Sequence, residues 1–258
     1  MNTLPPDFAV SVGMSEADIT AAQRLRYDVF VAELGADGEM VDHDRRLERD
    51  RFDPHATHFL LRDKRRPADD QVVGVYRVMS AAAAEKAGQY YCADEYDLSL
   101  LENSGQKLLE LGRSCLHADY RGGPAMMYLW AALDRYIHAH HIALLFGVAS
   151  FPGTDLDRLA APLSLLHHKH LAPPDLRVTA RGAGAVDMDM LPPSQIDTVA
   201  AMRATPALIK AYLRLGGKVG QGAFTDHAFN TTDICLILPT NAINALQRSI
   251  YTRGQPDG

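Results

Sequence analysis

Residues 108–137, LLELGRSCLHADYRGGPAMMYLWAALDRYI, decide how this chain is read. Leu108, Leu109, Leu111 and Cys115 surround two charges, Glu110 and Arg113, with Gly112 between them, which reads as a short strand. A turn, Asp119-Tyr120-Arg121-Gly122-Gly123, follows. Pro124 suits the first position of a helix, where its missing N–H is not needed. Met126, Leu129, Trp130, Leu133 and Ile137 then recur at helical spacing and give that helix one apolar face. The glycines leave the main chain open, so the N–H groups at the helix start can hold a phosphate or pyrophosphate at the positive end of its dipole. The plain alternative is a turn and nothing more. In a simple pleat Glu110 and Arg113 point to opposite faces. A bulge at or near Gly112 turns them to one side, and bulges gather beside active sites.

Outside this segment the chain has the make-up of an ordinary folded domain, 47% hydrophobic and 22% charged in 258 residues. Its length allows a core built as one large domain or two small ones; a single domain over residues 1–258 is expected, with the tail from Arg253 fraying. A formal charge of −6 argues against a general nucleic-acid binder. Cys92, Cys115 and Cys235 form no C-x-x-C pair, the pattern of reduced thiols rather than a disulfide framework or zinc cage. The opening MNTLPPDFAV lacks the basic segment and apolar run of a signal peptide, and no stretch nears the roughly 20 apolar residues of a membrane span. A cytoplasmic protein is expected, at most peripheral to the inner face of the membrane.

Along the chain, residues 8–12 read as a first strand, and Ser15 with Asp18 as a capping box opening a helix through Leu25 and Val29. Arg26 and Phe30 share a face of that helix. Residues 35–54, GADGEMVDHDRRLERDRFDP, read mostly as a solvated loop, Glu39, Asp42, Asp44, Glu48, Asp50 and Asp53 among its acids. So long a loop is often a lid or binding loop, and its acids suit an ammonium-bearing substrate. Residues 58–62 and 72–79 read as strands joined by a basic turn, Lys64-Arg65-Arg66. Arg77 sits in the apolar run VVGVYRVM, where a charge needs a carboxylate partner. Residues 143–149 read as a strand, making a strand–helix–strand crossover and a local parallel pair within a mixed sheet. His167, His168 and His170 have no carboxylate or cysteine close by in sequence, so no metal site is expected and hydrogen bonding is.

Arg26-x3-Phe30, Asp50-x2-Asp53, Arg77 and Glu110-x2-Arg113 together resemble the pattern of acyl-homoserine-lactone synthases, members of the GCN5-related N-acetyltransferase superfamily. PLSLLHHKHLAPPDLRV and ALIKAYLRLGGKVGQGAFTDHAFNTTDICLILP look like L-ornithine N(alpha)-acyltransferases. The resemblance runs from Arg26 to Pro239. Lactone synthases usually carry a Trp soon after the Phe, where this chain reads VAELGADGEM, so the ornithine enzymes are the nearer likeness.

The resemblance implies an α+β fold of the α/β layered kind, a mixed and mostly antiparallel sheet flanked by helices with a splayed central strand pair. It implies an acyltransferase moving a 3-hydroxy fatty acyl group from acyl carrier protein to the α-amine of ornithine, forming lyso-ornithine lipid. The alternatives are a lactone synthase, an enzyme acylating another amino acid, and a carrier-binding module without turnover. No cofactor is implied, the donor being the carrier's phosphopantetheine thioester. In that frame Glu110 is the base, alongside Arg113. Asp50 and Asp53 hold the ornithine ammonium groups, Arg26 its carboxylate, and Arg77 partners a site carboxylate. Phe30 borders the acyl slot, and Arg121, Gly122, Gly123 and Ala125 meet the phosphopantetheine phosphate. Lys64, Arg65, Arg66 and Arg121 face the acidic carrier, Tyr212 is a candidate acid, and the lipid product suggests transient membrane contact.

Overall fold

In the computed structural model, which describes residues 5–243, the apolar start of the chain becomes an edge strand, β1 (Phe8–Val12). Ser15 then caps helix α1 (Glu16–Arg26): its hydroxyl accepts from Asp18 N–H while the Asp18 carboxylate accepts from Ser15 N–H. The α-helix ends at Arg26, short of the expected Val29, and Tyr27–Glu33 continues as a wider π-helix. Tyr27, Val29, Phe30 and Val31 are aromatic and β-branched residues with little preference for tight α turns, and π segments frequently mark functional sites. The loop that follows leads to β2 (Thr57–Asp63), which pairs antiparallel with β1 on one side and with β3 (Val72–Ser80) on the other. Residues 108–137 supply β4 (Leu108–Leu116) and helix α2 (Ala125–His140), with Pro124 just before the helix rather than in its first position. Further on lie β5 (Leu144–Pro152), helix α3 (Leu156–His170), β6 (Ala223–Asp226) and β7 (Thr231–Pro239).

The described chain forms two compact units, divided after Met79, after His141 and inside β4, between Glu110 and Leu111. The first, made of the chain up to Met79 with Leu111–His141, carries the strand order β1-β2-β3-β4. Its core joins Ala22, Leu25 and Val29 to Leu60, Val75 and Cys115, with Phe30 packed against them. Each large apolar side chain so buried contributes about 1.5–3 kcal/mol. Leu129, Trp130, Leu133 and Ile137 are buried along α2, as their spacing predicts, while Met126, expected with them, is half-buried. A methyl group on Gly74 would lie 2.7 Å from Leu116 Cδ2 and 3.1 Å from Leu129 Cδ1, so a bare backbone is what lets α2 pack this closely.

In the second unit, Leu108–Glu110 pair in parallel with Leu144–Phe146, the ladder that a strand–helix–strand order predicts. β5 also runs antiparallel to β7 along its whole length, β7 to β6, and β6 to the short strand Ala185–Val186. Pairing of β4 with β5 stops at Glu110 although both strands run on. The sheet is thus mixed and mostly antiparallel, flanked by helices. Among the described residues no helix is long and apolar enough to cross a membrane.

Candidate active site

In the first unit, the charged loop and three strand or helix residues close into a ring. Arg26, the last residue of α1 and wholly out of solvent, donates from Nε to Glu48 Oε2 and from Nη1 to Asp53 Oδ1 at 2.6 Å. Arg77, on β3, donates from Nη1 to Asp53 Oδ1 at 2.8 Å and to both oxygens of Asp50 at 2.6 Å. Arg113, on β4, donates to Glu48 Oε1 at 3.1 Å and lies 3.0 Å from Asp50 Oδ2. Each carboxylate therefore bridges two guanidiniums and each guanidinium two carboxylates, in the order Arg26, Glu48, Arg113, Asp50, Arg77, Asp53. Gln23 Nε2 adds a bond to Asp53 Oδ2 at 3.0 Å.

Such burial is costly unless the charges cancel, and three positive charges here meet three negative ones. Burial pushes the acids' pKa values up, but the neighbouring guanidiniums more than reverse it: Arg113 and Arg26 for Glu48, Arg77 and Arg113 for Asp50, Arg26 and Arg77 for Asp53. All three titrate below their ordinary values and are anions at neutral pH. His58, buried beside them with Nε2 3.0 Å from Asp53 O, is kept neutral chiefly by burial. Asp50, 15% exposed, and Arg113, 9%, are the ring members nearest solvent, whereas Arg26 is at 0%.

Glu48 is the member that sequence reading left among the solvated acids. Its signal is faint but present: the buried Leu47 and Phe52 bracket Glu48-x-Asp50, so this part of the loop cannot be wholly solvated. The expected kink in β4 sits one residue on from Gly112, at Arg113, whose φ of 50° is left-handed. A non-glycine residue pays roughly 1–3 kcal/mol for such a conformation. Two carboxylates on its guanidinium offset that cost.

Glu110, in the second unit and 3% exposed, is held differently. Its Oε2 accepts from Tyr91 N–H at 2.8 Å, and its Oε1 accepts from Cys92 N–H and from the Cys92 thiol, both at 2.6 Å. These amides open the 3₁₀ turn Tyr91–Asp94, so the carboxylate does for this turn what a cap residue does for a helix. Tyr90, just before the turn, sets its ring 5.0 Å from that of Phe146, and burial followed by the Glu110 charge holds its hydroxyl protonated.

At the glycine turn, Gly122 takes a φ of 75°, and no side chain caps the start of α2 among the described residues. Ala125 is buried there, while Arg121 is tied to Glu33 at 2.8 Å and to Leu116 O at 3.0 Å. In the basic turn, Arg66 pairs with Asp70 and Arg65 reaches Pro5 O, while Lys64 is exposed. Tyr212 is buried. The fold brings His167 and His168 to Asp189, a carboxylate 21 residues further along. His168 Nε2 lies 2.9 Å from Leu191 O, a bond that needs the proton on that nitrogen and leaves the ring's lone pair on Nδ1.

Comparison with known proteins agrees with this architecture. Residues 25–131 match the acetyltransferase (GNAT) domain family, a span that holds the whole ring, Glu110 and the glycine turn. An L-ornithine N(alpha)-acyltransferase of Rhodobacter capsulatus is 50% identical over 255 residues, 98% of each chain. That of Brucella abortus is 41% identical over 94% of this chain and 88% of its own. That of Rhizobium meliloti is 37% identical over 92% and 81%. Among solved structures, the AHL synthase LasI superposes with a TM-score of 0.51 at 15% identity, over 98% of this chain and 99% of its own. FeeM, an N-acyl amino acid synthase from uncultured soil microbes, gives 0.50 at 13%, over 95% and 99%. At such identities these two bear on the fold alone. The chain therefore belongs to the L-ornithine N(alpha)-acyltransferase family and is an acyltransferase.

Proposed function

We propose that this enzyme transfers a 3-hydroxy fatty acyl group from the phosphopantetheine thioester of acyl carrier protein to the α-amine of L-ornithine, giving a lyso-ornithine lipid. The acceptor rests on one observation above all, identity over nearly the full length to enzymes named for ornithine. Free ornithine carries two ammonium groups and one carboxylate, and only a neutral amine attacks a thioester. Glu110 takes the α-ammonium proton, directly or through a water, a service typically worth about 10²–10⁴ in rate. The new C–N bond forms as the C–S bond breaks, and the carrier leaves as a thiol once it is protonated.

Asp50 and Arg113, nearest solvent in the ring, are suited to meet the amino acid, Asp50 its ammonium and Arg113 its carboxylate. Arg26, with both partners engaged and no exposure, serves better to hold Glu48 and Asp53 in register than to meet substrate, and Arg77 does the same for Asp50 and Asp53. Phe30 lies beside the acyl chain. The uncapped start of α2, with Arg121, Gly122, Gly123 and Ala125, is an anion cradle for the phosphopantetheine phosphate. The exposed Lys64 and its neighbours give the acidic carrier a salt-sensitive landing. A carrier-borne donor and a single-chain lipid product fit a cytoplasmic enzyme that visits the inner membrane face.

The test is product analysis. Purified protein is given 3-hydroxyacyl carrier protein or the matching acyl-coenzyme A, with ornithine, lysine or S-adenosylmethionine as acceptor, and products are read by mass spectrometry. N-acyl ornithine from the carrier donor is expected. A lactone from S-adenosylmethionine, or equal use of every amine, overturns the assignment.

A further inference from the structure

We infer that Cys92 is a positioning residue for the reaction, its main-chain N–H and its thiol together fixing the direction and basicity of the Glu110 carboxylate. The inference deepens the proposed reading and rests on Glu110 being the base. Oε1 of Glu110 accepts from two donors of the same residue, the main-chain N–H and the thiol of Cys92, each at 2.6 Å. One donor belongs to the main chain and is present whatever residue stands at 92. The other is the thiol, which only this side chain brings. Cys92 is entirely buried, in a turn that Glu110 itself caps, so the contact is fixed by packing.

The thiol has no route to a nucleophilic role. Burial first, then the neighbouring Cys235 and Glu110, push its ionisation far above the ordinary cysteine range, so it remains an S–H donor throughout the working pH range. A donor to the charged form of a carboxylate makes that form easier to keep. Cys92 therefore lowers the pH at which Glu110 gains a proton, and the acid limb of the kcat/KM profile carries its signature. Loss of the donor moves that limb to higher pH, because the base is then protonated sooner as pH falls. Serine, with a hydroxyl in the same position, restores it.

The experiment measures kcat/KM against pH for the full chain and for Cys92→Ala, Cys92→Ser and Glu110→Gln, with acyl carrier protein and ornithine as substrates. Cys92→Ala is expected to shift the acid limb upward by roughly one pH unit, and Cys92→Ser to return it to within a few tenths. If Glu110→Gln is inactive while both Cys92 variants keep the wild-type limb, Cys92 only packs and the inference falls. If Glu110→Gln turns over normally, the base assignment itself falls. Should Cys92→Ala fold poorly, an unshifted limb in Cys92→Val, which fills the space without a donor, overturns the inference equally.

Discussion

Glu48 and Glu110 are both glutamates with almost no exposure, one in each unit, and they are held by different partners. Glu48 lies between two guanidiniums, Arg26 and Arg113, and is one link of a ring in which every charge is shared. Glu110 is held by two main-chain N–H groups and a thiol at the start of a short turn. The ring needs each member to cancel its neighbours' charge in a poorly solvated place. The amides need only an acceptor. A side chain that stabilises through its charge and one that stabilises through its oxygens therefore fail differently when altered, and this separates scaffold from chemistry.

Glu110→Gln gives the sharpest test. Glutamine takes up no proton, so turnover should drop about 10²–10⁴. Its amide nitrogen cannot accept, so the donors on one side of the carboxylate lose their acceptor, and the unfolding free energy from a urea titration should fall by about 1–3 kcal/mol. A variant that loses stability in proportion to activity would make Glu110 a cap and no more.

Arg26→Met is the opposite case. It leaves Glu48 and Asp53 each short of a partner inside the protein, and removing one side of a buried ion pair costs about 3–5 kcal/mol. For a chain of this size each kcal/mol corresponds to about 2–4 °C in Tm. A melting point within a few degrees of the wild type would mean that the ring is loosely coupled and its members act singly. Asp50→Asn, nearer solvent, should cost less stability and raise the KM for ornithine more.

Much of this was legible before any coordinates, for physical reasons that differ by region. Helix α2 follows from apolar spacing, because burial on one face imposes that period, and strands β2, β3 and β5 follow from near-continuous apolar runs, because burial on both faces removes the alternation. Arg77 could be assigned a carboxylate partner because an arginine in VVGVYRVM has nowhere else to discharge its cost. Glu48 was not legible, since partners 22 and 65 residues away decide whether a charged loop is solvated or closed into a ring. The same holds for Cys92, which reads as one more buried thiol until β4 brings Glu110 to its turn, and for the π-helix, whose hydrogen-bond register leaves no mark in spacing. Local pattern carries the elements, and long-range pairing carries the site.

The ring also predicts how acid unfolds the protein. Glu48, Asp50 and Asp53 titrate below their ordinary values of 4.5, 3.8 and 3.8, so the unfolded chain takes up their protons first. Their stabilisation is fully present above about pH 4.5 and is lost as pH falls through the lower folded values. His58 runs in the same direction from a higher start: its folded value lies below 6.5, so its share begins to go just under that pH. His170, lowered chiefly by its own partial burial, adds to this first stage. Unfolding free energy should therefore be level above pH 7 and fall in two stages. His58→Gln, whose amide can still reach Asp53 O, should shrink the upper stage and leave the lower one intact.

The smallest effect belongs to Gly122→Ala. A Cβ there would meet nothing within 4 Å, whereas at Gly217 it would lie 2.7 Å from Tyr212 O, so no clash is expected at Gly122 and the cost is conformational alone. Holding alanine at a φ of 75° costs about 1–2 kcal/mol, too little to unfold the chain. The turn instead relaxes and moves the N–H groups that open α2. If those amides hold the donor's phosphate, the KM for acyl carrier protein should rise several-fold while the KM for ornithine stays put. Equal rises in both would mean that the turn supports the sheet behind it, and the anion cradle would have to be sought elsewhere.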